Sequence, residues 1–356
     1  MIRPATGPVL VVGTGLVGTS IGLALTAAGV DVRLRDRDGV ALRVAAERGA
    51  GRTDPPAAPA CVVVAVPPAQ VAAMVAAALT DFDTAVVTDV GSVKGEPLAR
   101  LAASVNDDDL RRYVGGHPMA GSELSGPWAA TAELFQGRAW AVTPHPGSRP
   151  EAVAAVTSLA RATGAAVVTM SPAEHDVAVA RVSHLPHLLS VLAAAQLGGA
   201  PPEHLALAGQ GLRDVTRVAG GDPALWGQIL TANAASLREL LRGVRADVDL
   251  LLAGLANAPD QVDDLLRRGV DGTRRIPAKH GGPARAEAAV MVAVPDRPGE
   301  LARLFGDAGQ SGVNVEDLRI DHDPGRPVGL VELVVQAAAA DTLVDALVAR
   351  GWSAHR

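Results

Sequence analysis

The chain has 356 residues, 48% of them hydrophobic and 20% charged; at about 150 residues per domain this length suggests two or three domains, and the composition excludes a disordered chain. Aromatic residues make up only 2% and the net charge is −6, so neither base stacking on aromatic platforms nor electrostatic binding to nucleic acid or an acidic membrane is expected. Arg supplies nearly all of the positive charge, because Lys94 and Lys279 are the only lysines.

In chain order, the apolar run Val9 to Val12 leads into Gly13-Thr14-Gly15-Leu16-Val17-Gly18. A helical stretch follows over 19–28, then an alternating strand over 30–34 that stops at Asp36. The order strand, glycine loop, helix, strand and acid, with the acid 18 residues past the third glycine, marks a dinucleotide-binding unit. Gly13 allows the tight turn, Gly15 lets the backbone approach a pyrophosphate, and Gly18 lets the helix pack closely. The N–H groups at Leu16 and Val17 face the phosphates from the helix N-terminus. Asp36 accepts from a ribose 2′-hydroxyl and repels a 2′-phosphate, which favours NAD over NADP, although Arg35 and Arg37 flank it.

Residues 55–80 carry no charge and are long enough to span a bilayer, but Pro67-Pro68 divides them. A buried Val-rich strand followed by a helix is the better reading. Cys61 lies in that strand; as the only cysteine it excludes an intrachain disulfide and reads as a core thiol. The N-terminus has neither a long apolar signal region nor a transit pattern, so a cytoplasmic protein is expected. Apolar runs at 61–66 and 85–90, each with a helical stretch after it, predict a parallel sheet with helices on both faces. Two polar segments then fall at the carboxyl ends of strands, where such sheets bind ligands: Gly91-Ser92-Val93-Lys94-Gly95 and Gly115-Gly116-His117-Pro118-Met119-Ala120-Gly121-Ser122-Glu123.

From Ser171 the pattern becomes helical, over 172–197, 203–218, 223–255 and 259–268, beginning at a capping box, Ser171-Pro172-Ala173-Glu174. An all-α domain is expected, with Ala-rich faces suited to close helix contact, including contact across a dimer interface. Ser183-His184-Leu185-Pro186-His187 places two histidines three apart, a metal-ligand spacing, but no His-Glu-x-x-His pattern or cysteine partner accompanies them and no metal is expected. Arg213 and Arg217 read either as a solvated basic face around Asp214 or as carboxylate-binding groups facing a cleft.

These motifs, with Asp222-Pro223-Ala224-Leu225-Trp226, resemble the prephenate dehydrogenase family in identity and order from about Val9 to Arg268. The resemblance implies NAD-dependent oxidative decarboxylation of prephenate to 4-hydroxyphenylpyruvate in tyrosine biosynthesis. It implies that His117 contacts the ring hydroxyl as hydrogen-bond acceptor or base, that Ser92 orients it, and that His187 and Arg217 line the substrate site. Ser122 and Glu123 are placed in the pocket wall on the same ground. Arogenate, or an amino-deoxy analogue of prephenate, is the alternative substrate.

A Gly-, Pro- and Arg-rich linker is expected over 272–287, followed by strand, helix, two strands, helix and a short strand, the βαββαβ order of a ferredoxin-like unit. Asp296-Arg297-Pro298-Gly299-Glu300-Leu301 and Gly312-Val313-Asn314-Val315 resemble an ACT domain, which implies an amino-acid ligand, here tyrosine as feedback inhibitor. The expected organisation is therefore an NAD-binding Rossmann-like domain over 1–170, a helical substrate and dimerisation domain over 171–272, and an ACT-like α+β domain over 286–356, assembled as a homodimer. A β-hydroxyacid dehydrogenase has a similar layout but relies on a lysine from its helical domain, and none lies between Lys94 and Lys279. A non-catalytic NAD- and amino-acid-sensing protein would be marked by loss of His117 or Ser92, and both are present.

Overall fold

A computed structural model describes residues 7–56, 58–121, 124–276, 286–322 and 328–356. The chain gathers into two compact units, Met1–Arg245 and Ala246–Arg356.

In the first unit, strands β1 (Val9–Val12), β2 (Val32–Arg35), β3 (Cys61–Val64) and β4 (Val86–Asp89) form a parallel sheet in the order β2-β1-β3-β4. Successive side chains of a strand point to opposite faces. Val9 and Val11 accordingly join a core with Ile21, Leu25 and Val156, while Leu10 and Val12 join a separate one with Val71, Val75 and Leu101. Both faces are covered, which is why these strands read as unbroken apolar runs. Cys61 is part of this core, and burial pushes its thiol up to about 12.

A second sheet was not expected. Strands β5 (Gly115–Pro118), β6 (Ala139–Thr143) and β7 (Ala166–Thr169) lie in the order β5-β6-β7, with β5 antiparallel to β6. Hydrogen bonds between Val87 and residues 112 and 114 join β4 to the start of β5. His117 therefore sits in a strand rather than in a loop beyond one. Gly115-Gly116 hid this strand, because glycine disfavours strands. The glycines are required by packing: a Cβ on Gly115 would lie 2.5 Å from Thr143 Oγ1, and one on Gly116 would lie 2.8 Å from the Asp89 carbonyl oxygen.

The helical segment is more broken than its periodicity suggested. The stretch expected over 172–197 is an α-helix Pro172–Val179, a π turn Ala180–His184 and an α-helix Leu185–Ala195. Pro186 has no N–H to donate one turn back, and widening the turn accommodates it. The stretch over 203–218 reduces to Pro202–Leu205 and Gln210–Arg217. That over 223–255 divides at Asn233 into Pro223–Ala232 and Ala234–Asn257. The last helix extends to Pro259–Thr273, and residues 277–285 of the expected linker lie outside the described residues.

In the second unit, β8 (Glu287–Pro295), β9 (Val315–His322), β10 (Val328–Gln336) and β11 (Ser353–His355) form an antiparallel sheet in the order β11-β8-β10-β9. Helices Glu300–Gln310 and Ala340–Val348 complete the ferredoxin-like connectivity. Val290, Val292, Leu333, Leu304, Leu343 and Trp352 form its core.

Candidate active site

The glycine loop has the geometry its sequence calls for. Gly13 has φ +103°, and a Cβ there would lie 2.2 Å from the Ala65 carbonyl oxygen. A Cβ on Gly18 would lie 1.9 Å from the Gly13 carbonyl oxygen. Nothing lies within 4 Å of a Cβ built on Gly15, which is exposed. Helix Leu16–Ala27 begins there without a side-chain cap, leaving the first-turn amides to an anion. Asp36 Oδ2 accepts from Thr14 N (2.6 Å) and Oγ1 (2.8 Å), so the acid also ties the loop to the end of β2. Arg35 turns to Asp81 (3.8 Å) and lies over the Phe82 ring. An open glycine, free helix amides and a half-buried acid fit a dinucleotide with an unmodified 2′-hydroxyl.

A polar cluster lies beyond β4. His117 Nδ1 is 2.9 Å from His175 Nε2, and His175 Nδ1 is 2.9 Å from Asp176 Oδ1. Asp176 also accepts from the backbone of Lys94 (Oδ1, 2.8 Å) and Gly95 (Oδ2, 2.8 Å), at the start of helix Gly95–Ser104. That helix lacks a cap of its own, and the carboxylate sits at its positive end. The Lys94 ammonium pairs with Asp89 and donates to the Gly116 carbonyl (2.7 Å), while Tyr113 Oη donates to Asp89 Oδ1 (2.7 Å). Lys94 thus holds Asp176 through its backbone and the residue before His117 through its side chain. Burial lowers its pKa, opposed by Asp89. Burial, helped by the neighbouring His175, Lys94 and His184, holds the His117 pKa well below the ordinary histidine value. His117 is therefore a neutral imidazole, suited to accept a proton or a hydrogen bond.

A second corner lies along the π turn. The His187 ring stacks on Trp226, centroids 3.5 Å apart and planes 7° apart, and Trp226 meets His184 edge-on at 6.2 Å. Gly221 makes room for this stack, since a Cβ there would lie 2.5 Å from Trp226 Nε1. Asn233, at the helix break, donates to the Asp176 backbone carbonyl (2.7 Å) and lies 3.3 Å from His184 Nδ1, linking the two corners. His187 Nδ1 and Ser190 Oγ are buried without a hydrogen-bond partner among the described residues. Burial lowers the His187 pKa, opposed in part by the Val218 backbone. Arg217 ends helix Gln210–Arg217 with its side chain exposed.

Ser92 lines a cavity of about 590 Å³ between the start of helix Pro68–Asp81, helix Gly95–Ser104 and helix Pro223–Ala232. His117, His187 and Arg217 are not part of its wall, and the ring nitrogen contact found on His117 is made by His175 rather than Ser92. Ser122 and Glu123 lie outside the described residues. No group of three His, Cys, Asp or Glu among the described residues is placed to hold a metal ion. Sequence reasoning missed His175, Asp176 and Asn233. The available signal was a His-Asp pair just after the capping box, in an otherwise apolar helix. Pro172–Ala195 is long and apolar enough to cross a membrane by length and composition, but His175, Asp176 and His184 face the protein interior.

Residues 21–169 match the family described as prephenate dehydrogenase, nucleotide-binding domain, and residues 171–268 that described as prephenate dehydrogenase, dimerization domain. The chain belongs to the prephenate dehydrogenase family. A probable prephenate dehydrogenase of Streptomyces niveus is 38% identical over 97% of this chain and 99% of its own length. The prephenate dehydrogenase of Bacillus subtilis is 29% identical over 88% and 87%. Among solved structures, a prephenate dehydrogenase from A. aeolicus, in complex with hydroxyphenyl propionate and NAD+, has a TM-score of 0.67 at 26% identity, covering 75% of this chain and 98% of that one. The Synechocystis arogenate dehydrogenase has a TM-score of 0.63 at 28% identity, covering 76% and 100%. This chain is an NAD-dependent oxidoreductase with the prephenate dehydrogenase activity of tyrosine biosynthesis, in a family of soluble metabolic enzymes.

Proposed function

We propose that His117 is the group that works on the ring hydroxyl of prephenate, and that Ser92, His187 and Arg217 complete the substrate site. The observation that carries this reading is the buried, neutral His117 ring, with one nitrogen engaged by His175 and the other left for a ligand. Its Nε2 accepts the hydroxyl hydrogen bond and draws electron density toward the carbinol carbon. NAD, held at Gly13, Gly15, Leu16, Val17, Gly18 and Asp36, supplies the hydride acceptor. The ring carboxylate leaves as carbon dioxide, the ring aromatises, and the oxygen keeps its proton, so His117 ends the cycle neutral. Arg217 offers a planar fork to a substrate carboxylate, and the unpartnered His187 Nδ1 and Ser190 Oγ lie in the same helical segment. Ser122 and Glu123 belong to the pocket wall in this reading.

Arogenate is the second reading for the substrate, favoured by the likeness to the Synechocystis arogenate dehydrogenase. The exposed Val182, Leu192 and Leu207 of the helical segment support a homodimer built on residues 171–272. The β11-β8-β10-β9 sheet supports an ACT-like domain over 286–356 that binds tyrosine as inhibitor. The domain limits 1–170, 171–272 and 286–356, a cytoplasmic location and the absence of nucleic-acid, membrane and metal partners complete the proposal. The test is NAD reduction with prephenate and arogenate side by side, with and without tyrosine. Prephenate turnover that falls on adding tyrosine is expected. Turnover of arogenate alone overturns the substrate, and indifference to tyrosine overturns the regulation.

A further inference from the structure

We infer that His175 and Asp176 are positioning residues that fix the protonation pattern of His117 through a two-step hydrogen-bond relay. The inference rests on His117 being the group that faces the substrate hydroxyl. Asp176 Oδ1 receives the Lys94 N–H and lies 2.9 Å from His175 Nδ1, and Oδ2 receives the Gly95 N–H. A carboxylate held by two backbone amides at a helix N-terminus is the ionised, accepting form. The proton between Asp176 and His175 is therefore on His175 Nδ1. A neutral His175 then has a lone pair on Nε2, and the 2.9 Å contact requires His117 Nδ1 to donate. This leaves His117 Nε2 bare, the form that accepts from a hydroxyl. Protonating His175 would reverse the second contact and turn His117 Nε2 into a donor.

Three elements hold the relay in place. Gly95 allows the close approach, since a Cβ there would lie 2.9 Å from Asp176 Oδ2. Asn233 holds the Asp176 backbone. The Lys94 side chain holds Gly116, next to His117. The Gly-Ser-Val-Lys-Gly segment thus serves the helical segment as well as the cofactor side.

The test uses the full chain with nitrogen-15-labelled histidine, the His117 signal being assigned with His117→Asn. The expected spectrum shows His117 as the Nδ1–H tautomer. His175→Leu, which keeps bulk but removes the acceptor, is expected to return the ring to the Nε2–H form that an isolated histidine side chain prefers. It should lower kcat by about 100-fold with KM for prephenate changed less than about threefold. His175→Gln, whose Oε1 can accept from Nδ1–H, is expected to restore part of kcat and the native tautomer. An Nε2–H tautomer in the unaltered chain overturns the relay, as does His175→Leu with native tautomer and kcat. Should the Leu variant fail to fold, the spectrum of the unaltered chain and the Gln variant decide. Full turnover by His117→Asn would instead overturn the proposed role of His117 itself, whatever the tautomer.

Discussion

The corner around His117 and the corner around His187 are built on opposite principles. In the first, the side chains that bear on His117 are linked to one another: His117 with His175, His175 with Asp176, and Lys94 and Tyr113 with Asp89, while Trp140 Nε1 and Thr143 Oγ1 on the neighbouring β6 are buried without a partner among the described residues. A buried polar network of this kind is rigid, because each lost contact leaves a desolvated group behind. In the second, His187 Nδ1 and Ser190 Oγ are buried with no partner among the described residues, and Arg217 stands exposed. The two corners divide the labour. Proton and hydroxyl chemistry needs a group preset in one state before substrate arrives, whereas carboxylate binding needs donors not already committed elsewhere.

The largest expected effect lies in the preset corner. His117→Asn should lower kcat by about 100- to 10,000-fold while NAD still binds, as measured by steady-state kinetics and a cofactor titration. A loss below about tenfold would place the chemistry elsewhere and erase the contrast between the corners. The uncommitted corner should respond through KM. Arg217→Ala removes one charged hydrogen-bonding partner, so KM for prephenate should rise by about 10- to 100-fold with kcat nearly unchanged. Unaltered KM would show that the exposed guanidinium does not meet the substrate.

A smaller change is expected at the cofactor end, where Asp36 shares features of both corners, bound to Thr14 yet half-exposed. Asp36→Ser should raise NADP use relative to NAD by about tenfold, the order of one charged hydrogen bond. A ratio that does not move would confine Asp36 to holding the glycine loop.

The two corners were not equally legible in the sequence. The dinucleotide unit was plain, because Gly13, Gly15, Gly18 and Asp36 act at fixed local spacings and their flanking strands are buried on both faces. The ferredoxin-like unit was legible for a different reason: its strands alternate because one face of that sheet carries the core and the other is less buried. His117 was visible as a motif, but its strand was not, since Gly115-Gly116 satisfy packing against Thr143 and Asp89, which are distant in sequence. His175, Asp176 and Asn233 were hidden because their function lies in contacts with residues 94, 95 and 117, and tertiary contacts leave no periodic trace. The helix breaks at Asn233 and around Pro186 were masked by apolar periodicity that continues through them, although those breaks aim the polar side chains.

The smallest expected effect comes from His184, which joins the corners through Asn233 and Trp226. Burial is the main cause that lowers its pKa from 6.5 to about 4, partly offset by Asp176. The folded protein thus keeps this ring neutral at pH values where the unfolded chain has already protonated it. Its contribution to stability is fully present above 6.5 and is lost progressively as pH falls toward about 4, because over that window the unfolded state binds the extra proton. His117 and His187, also lowered, act in the same direction. Urea unfolding between pH 7 and pH 5 should therefore show stability falling with pH, and His184→Gln should make that dependence shallower. Equal slopes for the two proteins would mean that His184 is free to protonate in the fold, and that the link between the corners is looser than its contacts with Asn233 and Trp226 imply.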